Sequence, residues 1–270
     1  MPNIVKQNGK LYTFGCSLTR YHWPTWADIL GQSYYEFQNW GNRGAGNRQI
    51  MERVAECLAQ NNFTGEDTII VQWTDHHRFD QHKWDPEMPE SWYPGGNIFT
   101  DTGADPLKAF VINKMWHEES FMMHTFNYIY ATTAMLRNTK ARVLMFFGND
   151  LRPELNQPQW NMYKQFMMNN YWIDGDLYNW TVQRHGNRLK FKGAKLGDLS
   201  EEPTMDFHPT PIMHYEFLKE RVSSKVGLQA NKQFADKMQK ALENCEHYKD
   251  IGQAIIDAGY DTNKNYKRGM

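Results

Sequence analysis

The stretch LYTFGCSLT at residues 11–19 decides how the rest of the chain is read. Leu11 to Phe14 is a short apolar run that stops at Gly15, the pattern of a buried strand entering a tight turn. Two further runs follow the same logic, DTIIVQW at 67–73 and VLMFF at 143–147. Continuous apolar strands of this kind are buried on both faces, as in parallel sheets. Tyr34 to Trp40 can supply one more strand.

Between the strands the apolar period turns helical. Pro24 suits a first helical turn, with Trp26, Ile29 and Leu30 as the buried face and Gly31 as the stop. From Asn47, the positions Ile50, Val54, Cys57 and Leu58 fall on one side of a helix. Further helices are expected from Glu118 to Asn138, around Met162 to Met168, after Pro211, and from Ala230 to Tyr248. Such alternation predicts a three-layer α/β/α architecture, doubly wound on a mostly parallel, flavodoxin-like sheet. No internal repeat or linker divides the chain, so one domain is expected over 1–270. It carries a long insertion at about 76–117, after the third strand, and a C-terminal helical segment at about 228–270.

Composition narrows the function classes. Thirty Lys and Arg against 31 Asp and Glu leave a net charge of −1, without the basic footprint of a nucleic-acid or anionic-membrane binder. The first ten residues, MPNIVKQNGK, hold no apolar signal-peptide core, and no apolar run is long enough to span a bilayer. Three cysteines (Cys16, Cys57, Cys245) show no metal or disulfide spacing, which fits reducing, cytoplasmic conditions. Ten Trp, many in loop-like segments, could line a ligand cleft or a protein interface; the aromatic-rich insertions are the expected surface for any protein partner.

In an open parallel sheet, ligands bind beyond the carboxyl ends of the strands. Three polar clusters fall there: Gly15-Cys16-Ser17, the turn from Gly41 to Asn47, and Thr74-Asp75-His76. A fourth, Asp206-Phe207-His208-Pro209, precedes the helix near residue 211. The set supports nucleophilic catalysis, because a Ser hydroxyl becomes reactive when a carboxylate-held His takes its proton. Ser17 is the expected nucleophile and His208 its base. The backbone N–H groups of Ser17 and Gly44, with the Thr74 side chain, are the expected oxyanion donors. Asn47, Asp75, His76, Arg78 and Trp73 are expected substrate contacts, and Trp73, Trp84 and Trp92 could stack on a sugar ring or equally pack the insertion. Residues 75–82, DHHRFDQH, cluster carboxylates and imidazoles, yet no sharp ligand pattern such as HExxH is present, so no metal or other cofactor is expected from them. Ser17 could instead cap a following helix, and Gly44 could serve only a positive φ.

The four clusters together resemble the SGNH (GDSL-like) hydrolases. FGCSLT at 14–19 is similar to their first block, NWGNRGAGN at 39–47 to the second, QWTD at 72–75 stands in place of the third, and DFHP at 206–209 resembles the fifth. The combination also looks like SGNH-type proteins encoded by bacteriophages. The resemblance implies a serine esterase using Ser17, His208 and Asp206, with O-acetyl groups on carbohydrate as one substrate class. It also implies a host-cytoplasm or virion setting if the source is a phage. Three departures accompany it. Cys16 replaces the usual Asp, and Thr74 replaces an Asn that donates to the oxyanion. The acid, Asp206, lies two residues before His208, with Met205 at the usual place three before. These departures motivate a second reading, a degenerate SGNH-like domain used for binding or virion structure. A flavodoxin-like nucleotide binder is a third, but neither GxxxxGK[ST] nor GxGxxG is present.

Overall fold

The computed structural model describes residues 6–82, 92–99, 106–167, 171–185, 189–193, 203–227 and 230–267. The strands are β1 (Gln7–Phe14), β2 (Tyr34–Asn39), β3 (Thr68–Trp73), β4 (Arg78–His82), β5 (Trp92–Asn97), β6 (Arg142–Phe147), β7 (Trp172–Asp176), β8 (Lys190–Phe191) and β9 (Thr204–Met205). The helices are α1 (Trp26–Gly31), α2 (Asn47–Gln60), α3 (Pro106–Lys114), α4 (Glu118–Leu136), α5 (Asn161–Met167), α6 (Leu177–Arg184), α7 (Pro211–Phe217), α8 (Ser223–Val226), α9 (Lys232–Glu243) and α10 (Ile251–Asp257).

Five strands form one parallel sheet in the order β2-β1-β3-β6-β7. This is a doubly wound order, whose switch point lies between β1 and β3. All six residues of β3 are buried, which explains its unbroken apolar reading and its central place. Helices α2 and α4 pack together on one side, while α1, α6, α7 and α9 form a connected layer on the other. The core between the layers is strongly aromatic: Trp26, Phe14, Phe146, Phe147 and Phe217 are fully buried. Each such side chain contributes roughly 1.5–3 kcal/mol of transfer free energy. A second cluster of Trp23, Phe191, Met238, Leu242, Ile251 and Ile255 lies under the C-terminal helices. Among the described residues, no helix is long and apolar enough to cross a membrane.

Several expectations shift in detail. The first helix starts at Trp26, because Thr25 with Asp28 makes the capping box. Strand β7 carries a glycine in WIDGD and had no apolar run to announce it. The root of the 76–117 region is built into the fold: β4 and β5 form an antiparallel hairpin, and Asp80 accepts the Gly46 and Gln49 N–H groups at the start of α2. At the other edge, the chain near its C-terminus covers β2, with Asn39 N donating to Asn265 O and Lys267 N to Asn39 O.

Candidate active site

The turn after β1 is fixed by side chains that reach it from neighbouring strands. Gln72 at the end of β3 is buried, and its Oε1 accepts from Cys16 N at 3.3 Å and Thr19 Oγ1 at 3.1 Å. Asn39 Nδ2 and Thr25 Oγ1 both donate to Thr19 O. The packing leaves no space at Gly15, where a Cβ would stand 2.1 Å from Thr19 Oγ1. A polar side chain in an otherwise apolar strand was the signal for Gln72, and sequence reasoning passed over it.

Ser17 sits half-buried in this turn, and its hydroxyl lies 2.9 Å from His208 Nε2. It does not cap α1, which Thr25 caps eight residues later. The other ring nitrogen, His208 Nδ1, is 2.9 Å from Asp206 Oδ1, and the same oxygen accepts the His208 backbone N–H at 2.8 Å. That second bond is an Asx turn. It folds the chain back within two residues, so a carboxylate at this shorter spacing still reaches the imidazole of His208. Asp206 in turn follows β9 directly, with its N–H on Leu189 O.

Two tyrosines and a tryptophan complete the His208 side. Tyr21 donates its hydroxyl to Asp206 Oδ2 at 2.7 Å and stacks its ring on His208 at 3.7 Å between centroids. Since the carboxylate can only accept, the Tyr21 proton is committed there, and Tyr248 must donate to Tyr21 across 2.8 Å. Trp23 Nε1 donates to Pro209 O at 2.9 Å and anchors the loop to the second core cluster. None of these three was singled out from sequence.

The charges follow from this arrangement. Burial works against the Asp206 charge, but the hydrogen bond and charge of His208, its backbone N–H and the Tyr21 hydroxyl outweigh it, holding the carboxyl below its ordinary value. Burial and the Asp206 charge push the Tyr21 phenol far up, so it stays a donor. An ionised Asp206 requires the proton on Nδ1, which leaves the Nε2 lone pair facing the Ser17 hydroxyl. His22 beside the site is lowered to about 4 by burial and the nearby Arg43 charge, so it is neutral at pH 7.

The remaining candidates divide. Gly44 adopts φ +76, and neither its N–H nor that of Ser17 makes a hydrogen bond among the described residues. The Gly44 turn is laced to the turn after β1 by Asn42 N on Gly15 O at 3.0 Å. Asn47 ties the same turn to the one after β3: its Oδ1 accepts Thr74 N at 2.9 Å and its Nδ2 donates to Thr74 O at 3.0 Å. Asn47 is therefore a fastener rather than a free substrate contact. Trp73 is fully buried and packs the core, so it cannot stack on a ligand. Asp75 is held by the His77 N–H and by Arg78, which also donates to Ala45 O. Together with His76, Asn47 and Arg78 line a cavity of about 450 Å³. Trp92 is half-buried beside Arg48, and Trp84 lies outside the described residues.

No family model matches the chain, and no curated protein matches it. Among solved structures, the crystal structure of the YXIM protein of Bacillus subtilis is similar at 11% identity and a TM-score of 0.30. That match covers 94% of this chain, which spans 56% of the Bacillus protein. A likeness at this level carries no inference about activity.

Proposed function

We propose that this chain is a serine esterase of the SGNH type. The observation that carries the reading is the unbroken line Ser17 Oγ, His208, Asp206, with 2.9 Å on each side of the imidazole. Three polar turns from β1, β2 and β3 laced together at the switch point support it, as does the order of the sequence blocks.

In the proposed reaction Ser17 Oγ attacks an ester carbonyl while His208 Nε2 takes its proton, and the Asp206 carboxylate stabilises the resulting imidazolium. The carbonyl oxygen becomes an oxyanion that accepts from the Ser17 and Gly44 N–H groups and from the Thr74 hydroxyl. Collapse breaks the ester C–O bond, and His208 passes its proton to the leaving alcohol. Water then attacks the acyl-serine, giving up a proton to His208, and the carboxylic acid departs as Ser17 is restored. Acetylated carbohydrates are the substrate class to try first.

A fluorophosphonate probe tests the reading directly. Phosphonylation mapped to Ser17 by peptide mass spectrometry, and abolished in His208→Ala, is the expected result. A folded protein whose Ser17 stays unlabelled would overturn it.

A further inference from the structure

A second constellation of imidazoles and carboxylate shares no residue with the Ser17–His208–Asp206 line. His76 and His77 leave the turn after β3 with their rings 3.9 Å apart, and both face Glu118, the first residue of α4. His76 Nε2 lies 2.5 Å from Glu118 Oε1, and His77 Nε2 lies 3.7 Å from Glu118 Oε2. One ligand atom from each of the three residues falls within 4.8 Å of the others. Around a tetrahedral zinc with bonds near 2.0–2.1 Å, ligand atoms stand about 3.3 Å apart. The two contacts to Glu118, 2.5 and 3.7 Å, bracket that spacing.

The surroundings are those of a built site. Asp75 Oδ1 lies 3.6 Å from His77 Nδ1 and accepts the His77 backbone N–H at 2.9 Å, while Arg78 holds the carboxylate from behind. A carboxylate behind a histidine fixes its tautomer and orientation, as in carboxylate–histidine–zinc arrangements. His76 is only 6% exposed, and its Nδ1 has no hydrogen-bond partner among the described residues. A buried imidazole satisfied at one nitrogen alone is costly as a purely structural element. Trp116 stacks over both rings, at 5.3 Å from His77 and 6.1 Å from His76, and Phe99 and Phe121 pack against Trp116. This aromatic packing covers one side of the cluster, while Glu118 and His77 stay open to solvent.

We propose that His76, His77 and Glu118 form a three-ligand site for a divalent transition-metal ion of the zinc class, with a fourth position for water or a small ligand. Three protein ligands with one open position are the zinc pattern of reactive rather than purely structural centres. His76 also lines the cavity of about 450 Å³. The proposal stands apart from the esterase reading and survives its failure.

The test uses the full chain, stripped with chelator and titrated with ZnCl2 by calorimetry, with Co2+ absorption as a second readout. One Zn2+ per chain at micromolar Kd or tighter is expected, together with visible bands of a four-coordinate Co2+ site. Glu118→Gln and His77→Gln should each weaken zinc by about 100-fold or more, and Asp75→Asn by 10–100-fold. Glu118 and His77 are partly exposed, so these variants should keep the wild-type melting profile. A wild-type chain that takes up no stoichiometric Zn2+ overturns the proposal. So does tight zinc binding left unchanged in both Glu118→Gln and His77→Gln, which would place the ion elsewhere. Absence of the Co2+ bands in the wild-type chain overturns it independently of any variant.

Discussion

His208 and His76 each face a carboxylate, but what stands around the two imidazoles differs. His208 has Asp206 at Nδ1 and a hydroxyl, Ser17, at Nε2, with a tyrosine ring stacked on its face. His76 has Glu118 at Nε2 and a second imidazole against its ring, under the face of Trp116. In the proposed esterase, an imidazole between an acceptor and a hydroxyl moves a proton. Two imidazoles that face one carboxylate are what the proposed metal site rests on. The partners, more than the histidine itself, decide the chemistry.

The strongest way to break this contrast is to remove the groups between which the proton would pass. Ser17→Ala or His208→Ala should each lower kcat for p-nitrophenyl acetate by about 10⁴-fold or more, and the double variant should be scarcely worse, because members of such a unit are not additive. Steady-state rates that fall less than tenfold in either single variant would place turnover at another group.

Asp206→Asn comes next. An amide can hold the ring in the wrong tautomer, and a loss of about 10³–10⁴ in kcat is expected by analogy with other triads. The same variant reads the charge. Asp206 is held below its ordinary value in the folded chain, so it contributes stability that is present above the unfolded carboxylate pKa of about 4 and is lost as pH falls through the folded value. The gap in Tm between wild type and Asp206→Asn should therefore narrow on acidification below about pH 4. A gap that widens there would mean the carboxyl is not ionised in the native state.

The two clusters were unequally legible in the sequence. Ser17 and His208 stand out because each lies in a short block next to an element boundary, and strand alternation is enough to bring such boundaries to one sheet edge. Asp206 was legible as a residue, but its spacing looked wrong. What restores it is the Asx turn, a backbone detail that composition does not reveal. Tyr21 and Tyr248 are 227 residues apart, and nothing local in either marks a partner. The same holds for His76 and Glu118, whose 42-residue separation hides them from a search by short ligand spacing. Trp73 misled in the opposite direction: a tryptophan at the end of β3 suggested a stacking surface, and the fold spends it entirely on the core.

Removing one hydroxyl from the tyrosines sharpens the account of the His208 side. Tyr21→Phe keeps the ring that stacks on His208 and deletes the donor to Asp206 Oδ2. A hydrogen bond to a charged group contributes roughly 1.5–3 kcal/mol, so kcat should fall on the order of 10- to 100-fold with little change in KM. Tyr21 is a positioning residue, so the readout that a merely structural role would not produce is a shifted acidic limb in the kcat–pH profile. An unchanged profile with a lowered Tm would reduce Tyr21 to packing.

The smallest expected effect belongs to Tyr248, which touches neither His208 nor Asp206 by hydrogen bond and acts through the Tyr21 oxygen. Its donor restricts the Tyr21 hydroxyl to the one direction that still faces Asp206, so Tyr248→Phe should cost only about 2- to 10-fold in kcat, the worth of one neutral hydrogen bond. A double-mutant cycle decides whether the two hydroxyls form one chain. If they do, Tyr248→Phe has no further effect once Tyr21→Phe is in place, because the group it orients is gone. Additive losses would show that Tyr248 supports the site separately, through its ring contacts with His22 and Phe191, and the relay would reduce to a single bond.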